Sequence, residues 1–469
     1  MFYPHSRSFR QFNSIAHSFV QGEGLPLRDV LAEGVIDRIA AEEGVCFGST
    51  LTTALVLWAF VTQAISKDQT CLAAVARIIT VLVGSGREAC SSHTGGYCKA
   101  RQKLPEKFLR RLTIEVGQGV EDRAADSWRW HGRRVLLVDG STTTGPDTPA
   151  NQKVYPQPPC QRPGLGFPVI RLVVLLGLAT ATLIDAAMGP YSGKESGESA
   201  LLRTLFASLR DADVVVADRY YCSYWMLAML QQRVVDGVFR MHHCRKYDFR
   251  RGRRLGPDHH LVTWTKPKRP DWMDEATYTA LPDSLTLREM RTPVSQPGFR
   301  VKELVVVTSL TDPERYPSAE VFDLYHDRWH VEVDLRAIKQ SLQMDELRCQ
   351  TPSMLRKELW AHLLAYNLTR KVMAQAALTA DLNPRRISFM ATVQTLNEFR
   401  RDLLAATPEQ LDRLAAIVFR TIAAHRVGDR PDRCEPRAIK RRPKPHDLLM
   451  VPRAEARAQL YRGRKFANH

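Results

Sequence analysis

The sequence predicts a mixed α/β core framed by helical regions, and three observations carry that prediction. Two short apolar runs, VLLVD (135–139) and VVVAD (214–218), each end in a carboxylate, as buried central strands do. Between them lie a β-branched stretch long enough for a hairpin and a segment of helical pattern. Before about residue 125 and again from Ser318 the apolar residues recur at helical spacing. A chain of 469 residues exceeds one ordinary domain, and at roughly 100–200 residues per domain two to four are expected. An apolar content of 44% with 25% charged residues belongs to a folded globular chain.

The elements follow in order. Leu51, Leu55, Trp58 and Ile65 mark one helix, and Asp68 is placed to cap a second that carries Leu72, Val75, Ile78 and Ile79. A Ser/Gly-rich break (85–96) precedes YCKARQKLPEKFLRRLTIEV (97–116), read as a loop and a basic helix. Beyond the strand at 135–139, a loop with Pro156, Pro158, Pro159 and Pro163 leads to residues 169–188, which Gly177 divides into two paired strands. A helix over 198–209 feeds the strand at 214–218. Strand, hairpin, helix, strand is a mixed α/β core. Residues 245–269 then hold nine Lys/Arg against two acids, with Tyr247, Phe249 and Trp264 interleaved, and read as an insertion. VKELVVVTSL (301–310) returns the chain to the core. After about Arg370 a helical region ends in a second basic stretch, 426–444, with eight basic residues against three acids.

The formal net charge is +17, which points to a polyanionic partner, nucleic acid before an anionic membrane surface. The longest charge-free run, 45–66, carries Thr52, Thr53, Thr62 and Gln63, too polar for the roughly 20 apolar residues of a spanning helix. The run 172–184 is shorter. His5, Arg7 and Arg10 precede no apolar stretch of secretory type, so a cytoplasmic protein is expected. Nine scattered cysteines include no CxxC pair, and an odd number suits reduced thiols. His242 and His243 beside Cys244 lack a matching second half and are not read as a metal site.

The chemistry concentrates in a few residues. Asp139 and Asp218 stand at the carboxyl ends of apolar strands, where open α/β sheets place ligands. YHDRWHVEVDLRAIKQSL (325–342) supplies a third acid. At about 100° per residue, Tyr325, Arg328, Glu332 and Lys339 fall within about 60° of one another, bordering a core face of Leu324, Val331, Leu335, Ile338 and Leu342. A salt-bridged solvent face would place its charges opposite the core instead, although pattern alone leaves that reading open. GPYSGKES (189–196) is one residue short of a P-loop and has Glu195 where Ser or Thr belongs; no GxSxG elbow occurs.

Tyr325, Arg328, Glu332 and Lys339 fit a Y-x2-R-x3-E-x6-K signature without a gap. With Asp139 and Asp218 upstream, the chain resembles the DDE transposases of bacterial insertion sequences, in the subfamily carrying that signature. The resemblance extends to LWAFVTQAISKDQTCLAAVAR (57–77), YCKARQKLPE (97–106), GFPVIRLV (166–173) and EPRAIKRRPKP (435–445). It implies an RNase H-like catalytic core (126–240 and 300–372), a basic β-rich insertion (241–299), a helical N-terminal domain (1–125) that binds the element's end DNA, and a helical C-terminal region (373–469) with a basic tail. It further implies that Asp139, Asp218 and Glu332 hold two Mg²⁺ ions, with Mn²⁺ able to substitute. Tyr325, Arg328 and Lys339 would contact phosphates, Arg328 as a bidentate clamp and Lys339 as a point charge. Trp264 or Trp272 would stack a flipped base.

The implied activity is hydrolysis at the terminal inverted repeats and joining of the 3′-OH to target DNA, by a homodimer on double-stranded ends in the bacterial cytoplasm, at the nucleoid. After Asp218 the chain departs from the better-known relatives: Tyr220, Tyr221 and Cys222 replace the expected acidic or small residues, which changes what surrounds the aspartate. Two alternatives remain at this stage: an inactive DNA-binding derivative of a transposase, and a two-metal nuclease without strand transfer.

Overall fold

The computed structural model describes residues 34–461 except 49, 65, 67, 85, 295–301 and 429–447. The N-terminal basic residues and nearly all of the basic stretch 426–444 therefore lie outside the described residues.

Five helices open the described chain: α1 (Val35–Glu42), α2 (Thr53–Ala64), α3 (Cys71–Gly84), α4 (Thr94–Lys103) and α5 (Glu106–Asp122). At α3 the Thr70 hydroxyl, rather than Asp68, accepts the Ala73 N–H at 3.1 Å, and Leu72 faces solvent while Val75 and Ile78 are buried. Threonine at position 70 stands one residue before the first helical turn, where a cap can reach the orphan amides; Asp68 is too far upstream and pairs with Arg77.

A nine-stranded sheet forms the centre, in the order β3-β2-β1-β4-β5-β9-β8-β7-β6. Its first half comprises β1 (Val135–Thr144), β2 (Val169–Gly177), β3 (Leu183–Pro190), β4 (Val214–Ala217) and β5 (Asp236–Arg240). β1, β2 and β3 pair antiparallel, whereas β4 and β5 run parallel to β1. That arrangement is the RNase H-like mixed sheet anticipated above. The helix between β3 and β4 is shorter than 198–209: α7 (Glu198–Thr204) gives way to a 3₁₀ turn, Phe206–Ser208. A short helix α6 (Pro149–Val154) follows β1, and α8 (Tyr224–Gln231) connects β4 to β5.

The expected insertion joins the same sheet. β6 (Arg253–Gly256), β7 (His259–Thr265) and β8 (Ser284–Pro293), with α9 (Glu275–Ala280) between the last two, pair antiparallel in sequence, and β8 pairs with β9 (Glu303–Thr308), which lies against β5. The basic segment thus lengthens the core sheet at one edge. Its outermost strand carries the exposed Arg253 and Arg254, and charge on an edge strand discourages pairing with another chain.

Both faces of the sheet are covered. Val135 and Leu137 point into one apolar cluster and Leu136 and Val138 into the other, the period-two alternation of a strand buried on both sides. The first cluster holds α10 (Ser318–His326), α11 (Trp329–Arg336) and α12 (Pro352–Thr379). At 28 residues α12 is about 42 Å long and buried along most of that length. It packs on α5, which comes so close to β3 that a Cβ on Gly117 would lie 1.9 Å from the Leu183 carbonyl oxygen. Asn367 uses the same close approach: its Oδ1 accepts the Leu183 N–H at 2.7 Å and its amide donates to Thr113 O. Helices α13 (Phe389–Ala405), α14 (Pro408–Ala424) and α15 (Arg453–Tyr461) follow. No helix among the described residues is long and apolar enough to cross a membrane.

Two buried ion pairs set the frame. Arg134 at the start of β1 grips Asp213 before β4 with two bonds, at 2.8 and 2.6 Å. Asp334 on α11 takes Arg370 of α12 at 2.5 Å and Arg385 at 3.0 Å. Replacing Asp334 with Ala would leave two buried guanidinium groups without their anion, and the expected loss is about 3–5 kcal/mol of unfolding free energy. Urea unfolding of wild type and Asp334→Ala measures it.

Candidate active site

Asp139 lies inside β1 rather than at its end, because the Thr-rich continuation to Thr144 keeps pairing with β2. β4 does stop at Ala217, and Asp218 follows it directly. The last parallel pair of β1 and β4 is Leu137↔Val216, two residues before each acid, so Asp139 and Asp218 lie toward the same end of these neighbouring strands. Asp139 points, by strand parity with Val135 and Leu137, toward the helical layer of α10 and α11, whereas Asp218, past the end of β4, accepts the Tyr220 N–H at 2.8 Å.

That layer brings the third acid. The 325–342 segment is not one uniform helix: α10 ends at His326, a tight turn at Asp327 and Arg328 intervenes, and α11 begins at Trp329. Leu324, Val331, Leu335, Ile338 and Leu342 are all buried, as the periodicity requires. α11 packs over β1, and Glu332 sits in its first turn. Arg328 stands between the acids, 2.8 Å from a Glu332 carboxylate oxygen and 3.8 Å from one of Asp139. Tyr325 is buried next to it, and burial pushes its phenol up to about 12.

Lys339 does not share this place. Residues Ala337–Ser341 form a π turn, which changes the helical phase, and Lys339 pairs with Asp345 at 3.0 Å. Asp345 also accepts the Thr144 N–H through its carbonyl, so Lys339 lies toward the far end of β1. A uniform 100° step could not foresee the change of phase.

Neither tryptophan offers a bare ring. Trp264 is 3% exposed, donates its Nε1–H to Glu289 at 2.9 Å and is covered by the Arg245 guanidinium 3.5 Å from its ring centroid. Base stacking on Trp264 is therefore blocked by burial. Trp272 is 38% exposed, but Arg203 lies 3.8 Å over it. The aromatics that do open to solvent beside the carboxylates are Tyr220, 62% exposed, and Trp329, 54% exposed. Their only sequence signal was adjacency, two residues from Asp218 and one from Arg328. Arg240, at the end of β5, was also missed; it acts electrostatically on the Tyr325 hydroxyl and has no acidic partner among the described residues.

Burial raises the Asp139 carboxyl to about 6; the Gly140 N–H and Arg328 oppose that shift, and Asp218 and Glu198 add to it. The Arg328 guanidinium meets two carboxylates, Asp139 and Glu332, so one cation faces more than one negative charge, and hard oxygen donors suit a divalent cation. Among the described residues, the group of three ligand-type side chains within 4.8 Å of one another is His242, His243 and Cys244, so the acids themselves stand wider apart. In the His/Cys group the Cys244 N–H donates to His242 Nδ1 at 3.3 Å, and His243 and Cys244 are exposed. The eight described cysteines are all free.

A mixed sheet that aligns two aspartates under a glutamate-bearing helix defines a phosphoryl-transfer core of the DDE class. Residues 130–368 match the Transposase DDE domain family, and the chain belongs to that family: it is a DNA-cleaving transposase of the insertion-sequence type. It is 28% identical over 428 residues to "Transposase InsG for insertion sequence element IS4" of Escherichia coli (strain K12), covering 89% of this chain and 92% of that one. It is also 28% identical over 139 residues to "Putative transposase InsZ" of the same organism, 29% of this chain and 44% of that one. Among solved structures it resembles a piggyBac transposase synaptic complex with hairpin DNA, at a TM-score of 0.41 and 11% identity, covering 88% of this chain and 85% of that one. DDE transposases generally depend on divalent metal ions.

The raised Asp139 carboxyl has a signed consequence. Its folded value lies above the ordinary 3.8, so the stabilisation from its protonated form is present in acid and is lost as pH rises from about 4 through about 6. A divalent ion must displace that proton. Mn²⁺ affinity, measured by calorimetric titration, is expected to fall as pH is lowered through about 6, while Mn²⁺ raises the melting temperature more at pH 7 than at pH 5.

Proposed function

We propose that this transposase binds the terminal inverted repeats of its element, hydrolyses the phosphodiester at the element end and joins the freed 3′-OH to target DNA. The observation that carries the reading is the alignment of Asp139 and Asp218 on neighbouring strands with Arg328 and Glu332 directly above. Asp139, Asp218 and Glu332 would hold two Mg²⁺ ions, which together activate the attacking oxygen and stabilise the leaving 3′ oxygen of an in-line displacement.

The chain's own residues do the rest. Arg328 is held against Asp139 and Glu332, and beside a cation held by those acids its guanidinium would be placed to grip a scissile phosphate with two bonds. Arg240 adds a second positive charge beside the Tyr325 hydroxyl, and Lys339 contacts phosphate further along the strand. Tyr220 and Trp329 present ring faces to bases at the DNA end, with Trp272 available only if Arg203 moves aside. The basic edge formed by β6 and β7 and the N-terminal helices of residues 1–125 extend the DNA path. A homodimer on paired ends in the cytoplasm completes the proposal, since two ends must be cut in concert.

The test uses labelled DNA carrying the inverted repeats that flank the gene, with Mg²⁺ or Mn²⁺. Asp139→Ala, Asp218→Ala and Glu332→Ala are each expected to lower nicking about 10²-fold or more, since a lost metal costs several kcal/mol of transition-state stabilisation. Nicking at wild-type rates in any of them rejects the assignment. Joined products separate a transposase from a nuclease. Arg240→Ala is expected to weaken DNA binding across all sequences and reduce the salt slope by about one, read by fluorescence anisotropy at several salt concentrations.

A further inference from the structure

We propose that Glu198 is a fourth carboxylate of the catalytic centre, a positioning residue that Gly140 admits and Tyr221 orients, and whose charge helps draw the divalent cation to Asp139 and Asp218. The proposal rests on the metal-binding reading of those two aspartates.

Gly140 follows Asp139 on β1 and faces the opposite helical layer, toward α7. A Cβ there would lie 2.3 Å from Glu198 Cδ and 2.4 Å from its Oε1, so the carboxylate occupies the space that the missing side chain leaves. Only glycine lets an acid come so close to the strand immediately after Asp139. On its other side Glu198 is fixed by Tyr221: this fully buried tyrosine donates its hydroxyl to Glu198 Oε2 at 3.4 Å. Burial first, and then Glu198, Asp139 and Asp218, raise the Tyr221 phenol.

Glu198 is half-buried, and among the described residues no cationic side chain pairs with it. Arg328 answers Asp139 and Glu332 from above but not Glu198. A partly desolvated carboxylate with no protein counter-charge leaves the centre more negative than three acids and one arginine would. A divalent cation is the group that meets that charge. Tyr221, standing after Asp218 where an acidic or small residue was expected, thereby acquires a role: its hydroxyl faces Glu198.

The experiment is a Mn²⁺ titration of the full chain, with free Mn²⁺ read by electron paramagnetic resonance and melting temperature recorded without metal. Glu198→Gln keeps the shape and removes the charge; Mn²⁺ affinity is expected to fall about three- to tenfold with the metal-free melting temperature unchanged. Gly140→Ala, whose methyl group would displace the carboxylate, is expected to lower affinity in the same direction. Glu198→Asp should recover part of the loss. If Glu198→Gln binds Mn²⁺ like wild type while Asp139→Asn loses it, the centre has three acids and the proposal is overturned. If Asp139→Asn also binds like wild type, the underlying metal site is overturned with it.

Discussion

The rest of the structure depends on crowding like charges in a place that water reaches poorly. Asp139 and Asp218 sit side by side because two parallel strands share a register, and Glu332 is lowered onto them by a helix. Burial first, and then repulsion from Asp218 and Glu198, opposes ionisation of Asp139 and raises its carboxyl. Arg328 compensates in the metal-free state by touching Asp139 and Glu332 together. The same guanidinium is the group best shaped to seize a phosphate.

Holding such a site open demands rigid supports elsewhere. Asp334 lies two residues beyond Glu332 and is clamped by Arg370 and Arg385, so α11 is tied to α12 at the position that fixes Glu332. Arg134 and Asp213 lock β1 to β4 just upstream of the two aspartates. α12 is buried on nearly every face and binds the N-terminal helix α5 to the sheet through Asn367 and Gly117. The N-terminal helix α5 is thus packed into the same body as the sheet that carries Asp139.

Positive charge is distributed to suit the negative centre. The 245–269 segment continues the core sheet as β6 and β7, and its exposed arginines line the edge farthest from α5. Some of its aromatic and basic residues serve the fold instead. Arg245 covers Trp264, and Trp264 with His260 satisfies the buried Glu289.

Much of this protein was legible in its residues. The β-branched runs before Asp139 and Asp218 and the helical period of 324–342 made the mixed sheet and the buried face legible, because those features depend on local periodicity that a single strand or helix imposes, while the acids were marked by the family resemblance that the Y-x2-R-x3-E-x6-K spacing carries. Tertiary structure alone decided the rest. A π turn rotated Lys339 away from the stripe, packing enclosed Trp264, and the expected β-rich insertion joined the core sheet as its edge. Glu198, about sixty residues from Asp139 in sequence, came to rest against Gly140. Periodicity describes each element about its own axis, whereas the meeting of side chains from different elements depends on how those axes pack, and no local pattern encodes that.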